Sequence, residues 1–386
     1  MAARPEEQLL LWAARAHFNS DVIPTLRSVM ETPLDWNRAV QIAESHGLLP
    51  LLFRQIEAVG SSSVPSQALD RLKVRCREIS VRMLLLTREL IGLLRLFRSE
   101  GIAAVPYKGP ALSALLYGDQ ALRQSEDLDL MIPWQDVWRA KELLERHGFQ
   151  PSPLLKREQL AAYSRSECDI VFAHARAGLY VDLHWALVPP YHGTAFDASQ
   201  FLERLEPTDL LGEKVDLPSP DCHLIALCLH GSKHMWARLG WICDIAALLR
   251  LRTPPDCERA LSAAKNWRSE RGFLLGLLMA HELLDQELPR EILTHIGAKP
   301  QVAALARSAR NRMFKGGATG FWRLTWSRLR LIDSFAGQIS YCSHRLLFPS
   351  FNDLDWVRLP ASLYFLYFFL RPIRLVFASA RMRLNR

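Results

Sequence analysis

The sequence predicts an α+β protein: a small mixed sheet with its helices near mid-chain, flanked by N- and C-terminal all-α segments. Three observations lead there. Between residues 102 and 187, short period-two runs alternate with helical stretches, as strands and helices do. Before residue 98 and after residue 217 the apolar residues recur with helical spacing instead. The alternating unit spans roughly 110 residues, too small a sheet for a doubly wound dinucleotide fold. We therefore divide the chain into a helical segment (1–97), an α/β core (98–216), a second helical segment (217–300) and a basic helical segment (301–386).

The elements follow in order. Residues 6–58 read as helices broken at Asn19-Ser20-Asp21 and near Thr32-Pro33-Leu34, with Asp35 placed to cap the next start. Ser61-Ser62-Ser63-Val64-Pro65 is a loop. A long helix covers 66–100, apolar at Leu84, Leu85, Leu86, Leu90, Leu93, Leu94 and Leu96, and Gly101 ends it. Ile102 to Tyr107 is a strand, Lys108-Gly109-Pro110 a sharp turn, and Pro110 opens a helix that Tyr117-Gly118-Asp119 closes. Leu128 to Ile132 is a strand and Trp134 to His147 a helix ending at Gly148. Cys168–His174 and Leu179–Leu187 form paired strands joined around Arg176-Ala177-Gly178. Helices return after residue 218, the first capped by Asp221, then 241–251 and 257–284. Residues 289–386 are mostly helical, interrupted near Pro349–Asp353.

Composition bounds the class. In 386 residues, 49% are apolar and 23% charged, values of a folded protein of more than one ordinary domain. The seven cysteines are odd in number and form no CxxC, which suits free thiols in a reducing compartment. The N-terminus shows no apolar signal region, so a cytoplasmic location is expected, peripheral to the inner membrane at most. The net charge is +8, yet residues 301–386 alone carry 14 Lys and Arg against 3 Asp and Glu. That segment can meet an anionic partner or a membrane surface, or be a solvated helical face. The apolar run Leu359–Leu370 is too short to span a bilayer, which needs about 20 residues.

Three aspartates carry the chemistry. Asp127 and Asp129 sit two apart in Asp127-Leu128-Asp129-Leu130 and share one strand face. Asp182, in Val181-Asp182-Leu183-His184, lies on another strand that could stand beside them. Clustered carboxylates repel unless a cation sits among them, and their hard oxygens suit Mg2+ or Mn2+. Such a site normally works on phosphate. The glycine turn before a helix N-terminus, at 108–113, is a natural phosphate neighbour.

These motifs resemble a known family. Tyr107-Lys108-Gly109-Pro110, Leu116-Tyr117-Gly118-Asp119, Arg123-x-x-x-Asp127-Leu128-Asp129, Val181-Asp182-Leu183-His184-Trp185 and His230-Gly231-x-Lys233-His234-x-Trp236 occur in order. Together they resemble the bacterial uncharacterised nucleotidyltransferase family of the DNA polymerase β-type superfamily. The resemblance implies a polymerase β-like core and two-metal transfer of an NMP group from ATP or another NTP to a hydroxyl of a small-molecule, sugar or peptide acceptor. It implies Asp127, Asp129 and Asp182 as catalytic metal ligands for Mg2+ or Mn2+. It implies Gly109 beside the triphosphate and Lys233 at its β- and γ-phosphates, and Lys108, Ser113 and Arg123 join them as nucleotide-binding candidates by charge or hydroxyl. No polynucleotide-binding module is recognisable, so no template nucleic acid is expected. One departure stands out: Pro110 follows the glycine where many members carry serine or glycine, and proline offers phosphate neither N–H nor hydroxyl. Lys108 by charge and Ser113 by hydroxyl are the compensating candidates.

Other readings stay open from sequence. Arg123 either contacts phosphate or clamps Asp127 or Asp119. His184 orients a carboxylate or the substrate, or packs in the core. His230 and His234, four apart on a helix with Cys222, His223 and Cys228 nearby, could hold zinc, though position 231 is Gly and no HExxH forms. Trp236, Leu239 and Trp241 read as core, and Asp244 as a partner of Lys233 or an arginine. The rival functions are self- or protein-nucleotidylation, and a degenerate fold that binds a partner without catalysis.

Overall fold

The computed structural model describes residues 4–174, 178–196, 198–314, 321–348, 356–357 and 361–384. Five helices come first: α1 (Pro5–Phe18), α2 (Ile23–Met30), α3 (Trp36–Ser45), α4 (Leu49–Val59) and α5 (Ser66–Ser99). The Asn19 side chain accepts from the Asp21 N–H at 2.9 Å, which turns the chain between α1 and α2. Asp35 caps α3 by accepting from the Arg38 N–H at 3.0 Å. Helix α5 buries Leu72, Ile79, Met83, Leu86, Leu90 and Phe97 at three- and four-residue spacing. Leu84 and Leu85, expected on that face, are exposed instead.

The α/β core holds β1 (Val105–Pro106), α6 (Gly109–Tyr117), β2 (Leu128–Met131), α7 (Val137–Arg146), β3 (Phe149–Ser152), α8 (Arg157–Tyr163), β4 (Asp169–His174) and β5 (Leu179–His184). The sheet order is β1-β2-β5-β4-β3. β2 and β5 are parallel, and the other pairs antiparallel. This is the mixed sheet with helices that the sequence predicts.

Several boundaries differ. β1 is shorter than the 102–107 strand because the Ile102 N–H turns back to the Phe97 carbonyl at 2.9 Å, finishing the end of α5. β5 stops at His184 rather than Leu187. β3 was not anticipated: Pro151 reads against a strand, but β3 is an edge, where a missing N–H is tolerated. The expected turn at Arg176-Ala177 lies outside the described residues.

Beyond the sheet come α9 (Ala198–Leu202) and an unanticipated two-stranded hairpin, β6 (Leu205–Leu210) with β7 (Glu213–Pro218). Helices follow: α10 (Pro220–Lys233), α11 (Gly240–Leu248), α12 (Cys257–Asn266), α13 (Glu270–Leu284), α14 (Arg290–Gly297) and α15 (Pro300–Met313). Asp221 does not cap α10. Ser219 holds that position, while Asp221 accepts from the Asp256 N–H at 2.8 Å and pairs with Arg259. Last come α16 (Phe321–Leu331), α17 (Phe335–Leu347) and α18 (Tyr367–Leu384). The interruption expected near Pro349–Asp353 lies outside the described residues.

One apolar core runs without a break from Leu9 in α1 to Met313 in α15. The inward face of the sheet (Leu128, Leu130, Val181, Leu183, Ile170, Phe172) belongs to it. Strand alternation then sends the intervening residues to the other face, where the polar side chains gather. Among the described residues, no helix is long and apolar enough to cross a membrane.

Candidate active site

The parallel pairing of β2 with β5 sets Asp129 opposite Asp182 in register. Asp127 stands one residue before β2 on the same alternation as Asp129. The antiparallel pairing of β4 with β5 sets Asp169 opposite His184. Four carboxylates and one imidazole thus share one face of three adjacent strands. They line a cavity of about 380 Å3 with Lys108, Arg123, Gln124, Lys233, His234, Arg238 and Trp241.

A chain of polar side chains, Lys108, Asp129, His184, Asp169 and Lys233, runs across this face. The Lys108 ammonium pairs with Asp129 Oδ1. His184 Nε2 lies 3.1 Å from the same oxygen. His184 Nδ1 is 3.5 Å from Asp169 Oδ2, but without hydrogen-bond geometry. Asp169 Oδ2 in turn lies 3.3 Å from Lys233 Nζ, which also donates to Cys168 Sγ at 3.5 Å.

The carboxylates respond unequally. Burial works against the charge of Asp129, but Lys108 and His184 outweigh it and hold that carboxyl well below its ordinary range. Burial is likewise outweighed at Asp169, by His184 and Lys233, so its acidity is also strengthened. Asp127 is raised, by burial and then by Asp129. Asp182 has no such cation of its own. Burial, then Asp129, Asp127 and Asp169, push it up to about 8. At Lys233 burial opposes the charge, but Cys168 and Asp169 prevail and raise its pKa.

Asp129, Asp182 and His184 offer ligand atoms within 4.8 Å of one another, as do Cys168, Asp169 and His184. Gln124 Oε1, a buried acceptor on the same cavity, has no hydrogen-bond partner among the described residues. Carboxylate oxygens with one imidazole suit a divalent cation. Asp182, raised by burial and then by like charge, is the group such a cation relieves. The donors fit, with one condition: Lys108 already pairs with Asp129, so a metal must share that carboxylate with it.

The structure brings Asp127, Asp129, Asp182, Lys108, Arg123 and Lys233 to one cavity. It does not bring Gly109 or Ser113, which are buried in the first turn of α6. The Ser113 hydroxyl donates to the Asp119 carbonyl at 2.9 Å, so it closes the end of α6 and cannot serve phosphate there. Gly109 has φ +67, where a side chain is strained, and lies beneath the Asp127 carbonyl. Its role is to pass the chain tightly from β1 into α6 under β2. Arg123 donates through Nε to Asp244 Oδ2 at 2.9 Å, and the Tyr117 hydroxyl donates to Asp244 Oδ1 at 3.1 Å. Arg123 is therefore a clamp on Asp244, rather than on Asp127 or Asp119.

Helix α10 supplies the other wall. His230 Nδ1 lies 3.3 Å from Lys108 Nζ, and the His230, His234 and Trp241 rings pack together at centroid distances of 4.7 to 5.4 Å. Trp241, expected as core, lines the cavity. Trp236 and Leu239 are fully buried, as expected. Gly231 has its reason here: a Cβ would collide with the Trp236 ring folded back on it. The zinc reading of α10 finds no support, since neither convergent ligand group contains His230 or His234. His223 Nε2 instead meets the Tyr107 carbonyl at 2.6 Å, and Cys228 is buried in the core.

Sequence reasoning does not reach Asp169: it starts a strand whose next alternate residues are Val171 and Ala173, so no acidic pattern shows until β4 is paired with β5.

Residues 32–285 match the sequence profile of a family described as "Uncharacterised nucleotidyltransferase". No curated protein matches the chain. A crystal structure of an antigenic nucleotidyltransferase-like protein from Paracoccidioides brasiliensis aligns with 57% of this chain and 92% of its own, at 18% identity and a TM-score of 0.32. That likeness is too low to carry any argument.

Proposed function

The chain belongs to the uncharacterised nucleotidyltransferase family, and from that premise we propose that the aspartate cavity transfers a nucleotidyl group from an NTP to a hydroxyl acceptor, with release of pyrophosphate. The observation that carries this reading is the pairing of Asp129 with Asp182 across β2 and β5, with Asp127 beside them and lysines on both sides. Asp127, Asp129 and Asp182 are the residues that would hold Mg2+ or Mn2+. Bound there, the metal neutralises phosphate charge and polarises the reacting oxygens.

The protein's own groups divide the remaining tasks. Lys108 and Lys233 flank the carboxylates and offer charge to the triphosphate. Arg238 lies at the exposed rim of the same cavity. With a cation bound among the carboxylates, Asp182 would be ionised and could help take the proton of an acceptor hydroxyl. Arg123 and Asp244 hold the segment leading to Asp127 in place. Ser113 has no part in this assignment. The polymerase β-type ancestry suggested by the motifs fits this division of roles.

A second reading has one observation in its favour. Lys108 already neutralises Asp129, as a resident cation would, and Pro110 removes an N–H from the start of α6. A degenerate fold that binds nucleotide or a partner without catalysis would look like this.

The test is thermal stabilisation by each of the four NTPs, with and without Mg2+ or Mn2+, beside an Asp127→Asn/Asp129→Asn variant. A ligand at 100 times its Kd stabilises by about 2.7 kcal/mol. A metal-dependent shift that the variant loses supports an NTP site at the aspartates and names the donor, and release of pyrophosphate from that NTP separates transfer from binding alone. A shift that ignores both metal and variant supports the scaffold.

A further inference from the structure

Over residues 367–375, helix α18 is packed inside out. Its inward side carries Tyr367, Arg371 and Leu375, four residues apart and all buried. The Tyr367 hydroxyl donates to the Val357 carbonyl at 2.6 Å, and Arg371 Nε donates to the Arg345 carbonyl at 2.9 Å. The outward side, with the 3-10 turn (Ala361–Leu366) that leads into it, carries Phe365, Phe369 and Ile373 at 57, 69 and 48% exposure, and Phe368 stands at the border between the two sides, 39% exposed. A helix facing water does the reverse: it buries its phenylalanines and leaves its arginine outside.

The neighbouring helix continues the pattern. Phe335 and Ile339 on α17 are 77 and 55% exposed, and with Leu346 they fall on one helical face. Phe348, just after α17, meets Phe368 edge-on at 5.6 Å and joins the two stripes. Scattered exposed apolar residues are ordinary, but a contiguous aromatic patch marks an interaction surface.

The charge of the segment selects the partner. Residues 301–386 carry 14 Lys and Arg against 3 Asp and Glu. Two copies facing each other would bring two such excesses together. An anionic lipid surface instead offers opposite charge and an apolar layer at once. No helix among the described residues is both long and apolar enough to span that layer, and a helix with one apolar face meets it lying along the surface.

We propose that the aromatic face of α17 and α18 lies on an anionic membrane surface, its phenylalanines at the headgroup boundary and the surrounding basic segment drawn to the lipid charge. This site is separate from the aspartate cavity and does not depend on its chemistry.

The experiment is sedimentation of the full chain with vesicles of phosphatidylcholine, with and without phosphatidylglycerol, beside a Phe365→Ser/Phe369→Ser/Ile373→Ser variant. These side chains face solvent, so the substitutions leave the fold intact, and circular dichroism confirms it. The wild type should partition onto phosphatidylglycerol vesicles, less so at high salt, and the variant should lose about tenfold or more. Equal partitioning of wild type and variant overturns the proposal, as does a wild type left in the supernatant. Light scattering in which the variant alone becomes monomeric, with lipid binding unchanged, assigns the face to a second copy instead.

Discussion

Asp129 and Asp182 are register partners on adjacent parallel strands, yet one is held charged and the other is pushed toward protonation. The difference lies in their neighbours. Lys108 and His184 converge on Asp129, whereas Asp182 faces three carboxylates and only the distant charge of Lys108. One site thereby holds a permanent anion and a base of adjustable charge side by side.

The Lys108–Asp129 pair is buried, with side-chain exposures of 8 and 4%. Breaking one partner of such a pair costs about 3–5 kcal/mol, because the other charge is stranded. Lys108→Met and Asp129→Asn should each destabilise by that order, and the double variant by clearly less than the sum. Urea unfolding of the four proteins checks it. Additive losses would show that the two groups do not interact.

Asp182 sets a pH dependence. Its folded pKa, about 8, is above the ordinary carboxylate value, so the folded state keeps a proton that the unfolded chain has already released. The associated stability is complete at low pH and is lost as pH rises towards 8. Asp182→Asn has no such loss. The melting temperature of the variant relative to wild type, without metal, should therefore climb between pH 5 and pH 8 and then level off. A constant difference across that range would place the titration elsewhere.

Arg123 separates a clamp from a phosphate ligand. Its side chain is 11% exposed and bonded to Asp244, itself held by Tyr117. Arg123→Met should cost about 3–5 kcal/mol in the absence of any nucleotide. The Arg123→Met/Asp244→Leu pair should recover part of it. A single variant with unchanged stability and weakened nucleotide binding would return Arg123 to the phosphate.

His46, which does not line the aspartate cavity, gives an acid-side test. Its Nδ1 accepts from the Leu239 N–H at 3.1 Å, and burial, then Arg238, lower its pKa to about 4. The unfolded chain gains a proton near pH 6.5 while the folded state does not, so stability falls as pH drops from 6.5 towards 4. His46→Asn keeps an acceptor for Leu239 without titrating. Its stability should vary less steeply over that window, as thermal melts at stepped pH will show.

Much was legible in the sequence because the rules involved are local. Period two put Asp127 and Asp129 on one strand face. Asp35 capped α3, Gly101 ended α5, and the glycine turn led into α6, each through contacts within a few residues. The less regular pieces were not legible. β3 carries a proline that only an edge position tolerates, and the β6–β7 hairpin lacks a clean alternation.

The sequence by itself determined the acidic pair, the turn beneath it and the order of helices and main strands, since these depend on neighbours along the chain. Tertiary structure alone decided that Asp182 stands beside Asp129, that Asp169 joins them through His184, that Ser113 is spent on Asp119, and that α18 shows its phenylalanines outward. Each of these is a matter of register or burial. His184 and Asp129, for example, are 55 residues apart in sequence and 3.1 Å apart in space. No local periodicity encodes such a meeting; it follows from the β2–β5 pairing, which buries Leu128, Leu130, Val181 and Leu183 on one face and leaves the acids together on the other.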